Sequence, residues 1–224
     1  MKKIVFIVCL CAFAASAFAQ EEKTALDKAL SPDLAAFQTA ANLARYGYDN
    51  YSATALIEAA KIFSETKTQE LEEQGSPESV QTVSEKDKKV SFDPIQLLAD
   101  AKKFAGKDKV VLAYANQVEK NLKSSTTRGA VGGAREGAGR VYGKSYTDYQ
   151  IKFWASEVAE IAVVGDGDTD LDLYVYDERG NLITSDTDYT DQCICRWVPA
   201  WTGTFTIRIV NRGSIYNEYV IVTN

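Results

Sequence analysis

Gly165–Asp191 reads GDGDTDLDLYVYDERGNLITSDTDYTD. Within it Leu171, Leu173 and Val175 alternate with Asp172, Tyr174 and Tyr176, the period of a half-buried β-strand with its apolar side inward. Arg179-Gly180 marks a hairpin turn, and Asn181–Thr184 returns as the partner strand. Such a turn brings the start of the first strand beside the end of the second. Asp170 and Asp172 are therefore expected near Asp186 and Asp188, with Asp168 close by. Two carboxylates 4 Å apart repel by ~1 kcal/mol even in water, and a bound cation reverses that sign. These five aspartates are the candidate calcium ligands. The competing reading is solvated turn aspartates, whose carboxylates bond to nearby backbone. An EF-hand is excluded, because Leu171 stands where that loop turns on glycine and a strand follows.

Outward from this hairpin the period of two continues. Tyr149–Trp154, Val158–Val164, Cys193–Val198, Thr204–Val210 and Tyr216–Val222 read as further strands, with Arg140–Lys144 as an eighth. Short strands separated by Gly, Asp and Asn turns indicate an antiparallel β-sandwich, jelly-roll-like. Cys193 and Cys195 share one face of a strand. They read either as small buried hydrophobes or as a strained disulfide, and two thiolates are too few for a metal site.

Three segments together resemble the bacterial pre-peptidase C-terminal domain: the strand Asp170–Tyr176, the Gly180-Asn181 turn, and Trp201-Thr202-Gly203-Thr204-Phe205-Thr206-Ile207-Arg208. The resemblance covers residues 140–224. It implies a jelly-roll-like sandwich appended to secreted proteins, non-catalytic itself, with calcium in some relatives and polymeric substrates engaged by others. No peptidase domain precedes it in this sequence.

Upstream the apolar period is helical. Ser31-Pro32-Asp33 is a helix start, followed on one face by Leu34, Phe37, Ala41 and Ala44. Gly47 is expected to break this helix, and a second carries Leu56, Ala59, Ala60 and Phe63. Asp93-Pro94 repeats the start signal before Ile95, Leu98, Ala101 and Phe104, and Gly106 ends that helix. A fourth carries Val111, Leu112, Ala115, Val118 and Leu122. Two αα-hairpins follow, as a four-helix bundle or a helical-repeat-like surface. Residues 64–91 are charged and nearly free of large apolar side chains, so they are expected to form a flexible loop. The glycine-rich stretch 124–139 reads as a linker between independently folding modules. The expected organisation is α+β: a signal peptide at 1–19, a helical module at 20–123, the linker, and the sandwich at 140–224.

The N-terminus, MKKIVFIVCLCAFAASAFAQ, has a basic start, a short apolar core and an Ala-Phe-Ala cleavage site. Export with cleavage after Ala19, to periplasm or medium, is expected. Cleavage removes Lys2 and Lys3, moving the net charge from −6 to −8, which disfavours nucleic acid and anionic membrane as partners. The chain contains no histidine, which excludes histidine-based hydrolysis and imidazole zinc sites. The sequence thus points to an exported non-catalytic accessory that binds a protein or an extracellular polymer. The alternatives are a carboxylate-dependent glycan hydrolase and a carbohydrate-binding protein stacking sugars on Trp154, Trp197, Trp201, Tyr189 and Tyr216.

Overall fold

The computed structural model describes residues 30–65, 69–71, 90–125 and 135–224; the expected signal peptide, most of the charged loop and part of the expected linker lie outside them. Helix α1 (Pro32–Asp49) has proline in its first turn and Asp33 beside it, as the start signal requires. Ser31 does not cap with its hydroxyl; its backbone N–H donates instead to Glu160 Oε2 at 3.0 Å. Gly47 does not stop the helix. It lies where α1 meets α2 (Ala53–Glu65), and a Cβ there would stand 2.4 Å from Leu56 Cδ2. The chain turns two residues after α1 ends, at Tyr51, with φ 52°.

Helix α3 (Pro94–Ala105) is capped by Asp93, whose carboxylate accepts the Gln96 N–H at 2.7 Å, and it ends at Gly106. Helix α4 (Lys109–Ser125) begins where Asp108 Oδ1 accepts the Val110 N–H at 2.9 Å. Ile95, expected on the buried stripe, is 61% exposed, and Leu97 takes that place in the core. Alanines at 40, 41, 44, 59, 60, 101 and 115 are all buried, so the helix axes approach closely.

Eight strands complete the fold: β2 (Arg135–Val141), β3 (Tyr146–Phe153), β4 (Ala159–Gly165), β5 (Leu171–Tyr176), β6 (Leu182–Asp186), β7 (Gln192–Trp197), β8 (Gly203–Asn211) and β9 (Asn217–Thr223). One sheet runs β2-β9-β4-β7 and the other β3-β8-β5-β6, the strand order of an eight-stranded jelly roll. Between the sheets lie Ile151, Ile161, Val163, Leu173, Val175, Phe205, Ile207, Ile209, Tyr219 and Ile221. Cys193 and Cys195 belong to this core as free thiols, and burial pushes the Cys195 thiol up to about 12.

Two expectations about organisation are corrected. Residues 135–139 are not linker but the first half of β2, paired antiparallel with β9 from Arg135 opposite Thr223. Glycine is needed there for proximity, since a Cβ on Gly139 would fall 2.7 Å from the Tyr219 hydroxyl. Gln69–Glu70, inside the expected flexible loop, forms a two-residue strand, β1, parallel to β2 at Arg135 and Glu136.

Nor do the two regions keep separate cores. Ala162 and Val164 of β4 and Val220 and Val222 of β9 point away from the sandwich interior and join one buried cluster with α1, α2, α3 and α4. Each fully buried valine contributes ~1.5–3 kcal/mol, so this contact outweighs any single surface ion pair. Two polar latches flank it. Arg45 Nη1 of α1 meets Asp191 Oδ1 at 2.9 Å, and Glu160, 3% exposed, joins Ser31 to Arg196 at 2.8 Å. The helices form a layer on one sheet.

Candidate functional site: the open face of the sandwich

Because the helices cover β4 and β9, the central strands of the first sheet, the outer face of β3-β8-β5-β6 is the broad face they leave uncovered. Strand alternation decides what it presents. On β3 these are Tyr146, Asp148, Gln150 and Lys152; on β8, Thr204, Thr206, Arg208 and Val210; on β5, Asp172, Tyr174 and Tyr176. Register aligns them in rows, with Asp148 opposite Arg208 and Arg208 opposite Tyr174.

Arg208 is the centre of this face. Its Nε and Nη2 bond Asp148 Oδ1 and Oδ2 at 2.8 and 2.7 Å, a bidentate pair. Its guanidinium carbon lies 3.8 Å from the Tyr146 ring centroid and 5.9 Å from that of Tyr176. The Asp148 carboxylate holds this guanidinium above its ordinary pKa. Tyr174 and Tyr176 lie nearly parallel, 17° apart with centroids 6.1 Å apart. The Tyr174 hydroxyl donates to Asp172 Oδ2 at 3.0 Å and accepts from Arg212 Nη2 at 2.7 Å. Burial, then the Asp172 carboxylate, raise the Tyr174 pKa. Gln150 Nε2 donates to Thr206 Oγ1 at 2.8 Å, so the middle row is polar and neutral. Tyr146, Asp148, Gln150, Thr206, Arg208, Asp172, Tyr174 and Tyr176 are each tied to a neighbour, which holds the middle of the face in one conformation.

The five candidate calcium ligands do not converge on one point. The hairpin turns through three residues rather than two: Asp177 pairs with Asn181, and Gly180 takes φ 80°. The Asp177 carboxylate accepts the Arg179 and Asn181 N–H groups, each at 2.8 Å, and hydrogen bonds led by the Asn181 side chain lower its pKa. Tyr176 faces Leu182, and that register continued would set Asp172 against Asp186. A β-bulge between Val175 and Tyr176 intervenes, so Leu173 faces Asp186 instead. A one-residue shift moves a side chain to the opposite face. Asp186 consequently reaches across to the other sheet, where its Oδ2 accepts the Ile194 N–H at 2.8 Å.

The remaining aspartates differ in their surroundings. Asp172, 3% exposed, is an ion pair with Arg212. Asp188 Oδ1 accepts from the Thr190 N–H and hydroxyl at 2.9 and 2.7 Å, a local turn. Asp168 is exposed. Asp170 Oδ1 is buried and, among the described residues, accepts no hydrogen bond; burial, then Asp172 and Asp188, raise its pKa. Among the described residues no group of three or more His, Cys, Asp or Glu is placed to hold a metal ion.

The acid–base reading meets the same geometry. Asp170 has the raised pKa an acid needs, but its neighbour Asp172 is already committed to Arg212 and Tyr174.

The aromatic platform differs from the set expected on sequence. Trp197 and Tyr216 are buried, and Tyr189, 97% exposed, sits in the β6–β7 loop at the opposite end from Trp201, whose neighbour Gly203 lies against Glu178. Trp154 and Trp201 stay exposed, Trp201 stacking 5.9 Å from Phe205. The residues that sequence reasoning missed are Tyr146, Gln150, Thr206 and Arg208. Their signal was the alternation of Tyr146–Phe153 and Gly203–Asn211, which places all four outward.

No known protein family and no curated protein matches this chain. Among solved structures it is similar to the pre-peptidase C-terminal domain of a collagenase from Bacillus anthracis, at 12% identity and TM-score 0.36, over 41% of this chain and 90% of that one. It is also similar to PliG of Aeromonas hydrophila, a periplasmic inhibitor of g-type lysozyme, at 14% identity and TM-score 0.32, over 41% and 84%. A third is the C-terminal carbohydrate-binding module of the laminarinase LamC of Zobellia galactanivorans, at 15% identity and TM-score 0.26, over 38% and 76%.

Proposed function

We propose that this is an exported, non-catalytic binding protein whose working surface is the open face of the β3-β8-β5-β6 sheet. One observation carries the reading. The helices bury one outer face of the sandwich, while the other presents a pre-organised array of Tyr146, Tyr174, Tyr176 and Arg208 that adds little to the core. Rigid aromatics backed by hydrogen-bonded neighbours lose little entropy on binding, as recognition surfaces require. Export is supported by the basic start, short apolar core and Ala-Phe-Ala site of residues 1–19. Among the described residues no helix is long and apolar enough to cross a membrane. Any calcium would be held by Asp170 with Asp188 rather than by all five aspartates, because a common site would require β6 to lose its bulge.

Co-sedimentation tests this reading. The mature protein, beginning at Gln20, is incubated with insoluble envelope and extracellular material of the producing cells. We expect it to sediment with that material, and a Tyr176→Ala/Gln150→Glu variant with an unchanged melting temperature to stay in solution. Equal sedimentation of the two proteins would move the binding surface elsewhere.

A further inference from the structure

We infer that the ligand of the open face is an uncharged glycan chain; this rests on the open face being the binding surface. The charges of the face point there first. The chain carries a net charge of −6, yet on this face Asp148 is paired with Arg208 and Asp172 with Arg212, and the remaining cation, Lys152, lies at one end over the Trp154 ring, 5.3 Å from its centroid. A guanidinium forked onto a carboxylate is already charge-neutralised, so a sulfate or uronate gains little attraction from it and meets the paired carboxylate beside it. An uncharged ligand leaves both pairs intact.

The remaining chemistry suits sugars. A pyranose has an apolar C–H face and a rim of hydroxyls. The open face offers the Tyr174 and Tyr176 rings beside the hydroxyls of Thr204, Thr206 and Ser185 and the amide of Gln150. Of the aliphatic side chains, Val210 lies opposite Tyr146 and Leu182 lies beside Tyr176 on the edge strand next to Ile183, and the Asp148–Arg208–Tyr174–Ser185 row separates the two positions, so there is no continuous apolar groove for a peptide. An open strand face gains little from one sugar, so affinity must accumulate over several units. Tyr146 to Lys152 spans ~20 Å at ~3.3 Å per residue, enough for a short oligosaccharide.

Native gels cast with a polymer and run with the full mature chain test this. The neutral probes are laminarin, hydroxyethylcellulose, xyloglucan and dextran; alginate and gelatin are the charged and proteinaceous controls. We expect retardation by at least one neutral glucan and none by alginate. Calorimetry with the corresponding hexasaccharide should give binding that the monosaccharide lacks. Tyr176→Ala should weaken it about tenfold, and Gln150→Glu, an exposed change that leaves folding alone, should weaken it several-fold. Tyr189→Ala, at the far end of the sandwich, should leave it unchanged. Neutral-glycan binding that survives both open-face variants overturns the inference. Retention on alginate or gelatin that is lost in Tyr176→Ala also overturns it, while leaving the open face as the binding surface. Retention by none of the six polymers, together with sedimentation that does not depend on the open face, overturns both.

Discussion

The two sheets of the sandwich share a topology and differ in what covers them, and their sequences record the difference. In β8 every second residue is buried, from Gly203 to Asn211. In β4 all seven residues from Ala159 to Gly165 are buried, and β9 is nearly the same. Strict alternation marks a strand with solvent on one side; an unbroken apolar run marks one with protein on both. Glu160 is the exception within β4, and it is tolerated because Arg196 and the Ser31 N–H satisfy its carboxylate. The covered sheet therefore depends on the helices, and the open sheet does not.

The largest test sets one residue of each face against the other. Val164→Asp places an unpaired charge under α1 and should cost ~4 kcal/mol or more in urea unfolding. Gln150→Asp on the open face should cost no more than ~0.5–1 kcal/mol. Equal costs would show that the helices do not seal the covered sheet. The same logic predicts that residues 135–224 alone expose Ala162, Val164, Val220 and Val222 and melt well below the full chain.

A smaller effect sharpens the contact at its rim. Arg45→Ala takes the cation from the buried Asp191, whose Oδ2 also accepts the Gly167 N–H at 2.6 Å, and should destabilise by ~1–2 kcal/mol. Urea unfolding measures it, and a loss within error would mean that the apolar contact alone holds α1 to the sheet.

Asp170 gives a test whose sign is set by pH. Its pKa is raised in the folded protein, so the native state binds this proton more tightly than the unfolded chain does. The ionised group is therefore a cost above the raised pKa, and the cost disappears as pH falls through that value towards the ordinary 3.8. Asp170→Asn should raise the melting temperature at pH 7 by ~1–2 °C, a few tenths of a kcal/mol once solvent screening is counted. The difference should vanish below about pH 3.5. A variant that melts lower at pH 7 would show that the charge attracts Arg212 more strongly than it suffers burial.

Calcium is expected to do least. With Asp186 bonded to Ile194 and Asp172 to Arg212, millimolar calcium should shift the melting temperature by no more than about 1 °C. A chelator-reversible rise of several degrees, abolished by Asp186→Asn, would require the hairpin to reset its register.

Much of the architecture was legible in the sequence, because it follows from local periods. The strand Leu171–Tyr176, the starts at Pro32 and Pro94 and the stop at Gly106 each depend on a few neighbouring residues, whereas the sequence left Cys193 and Cys195 open between buried thiols and a disulfide. The outward direction of Tyr174 and Tyr176 was legible for the same reason. Three other features depend on how the elements meet. Ala162, Val164, Val220 and Val222 could be read as apolar, but only the docked helices explain why they may face outward. Gly139 resembled linker until Tyr219 was placed beside it. One extra residue in β6 decided that Asp172 and Asp186 lie on opposite faces, and composition carries no record of that count. Sequence by itself determined most elements and most inner sides, with Ile95 and the first half of β2 as exceptions, since those are set by contacts within a strand or a helical turn. Tertiary structure alone decided which face is covered, which is open and which carboxylates meet, since a bulge re-aims side chains across a hairpin and a docked helix joins residues more than a hundred positions apart, as for Arg45 and Asp191.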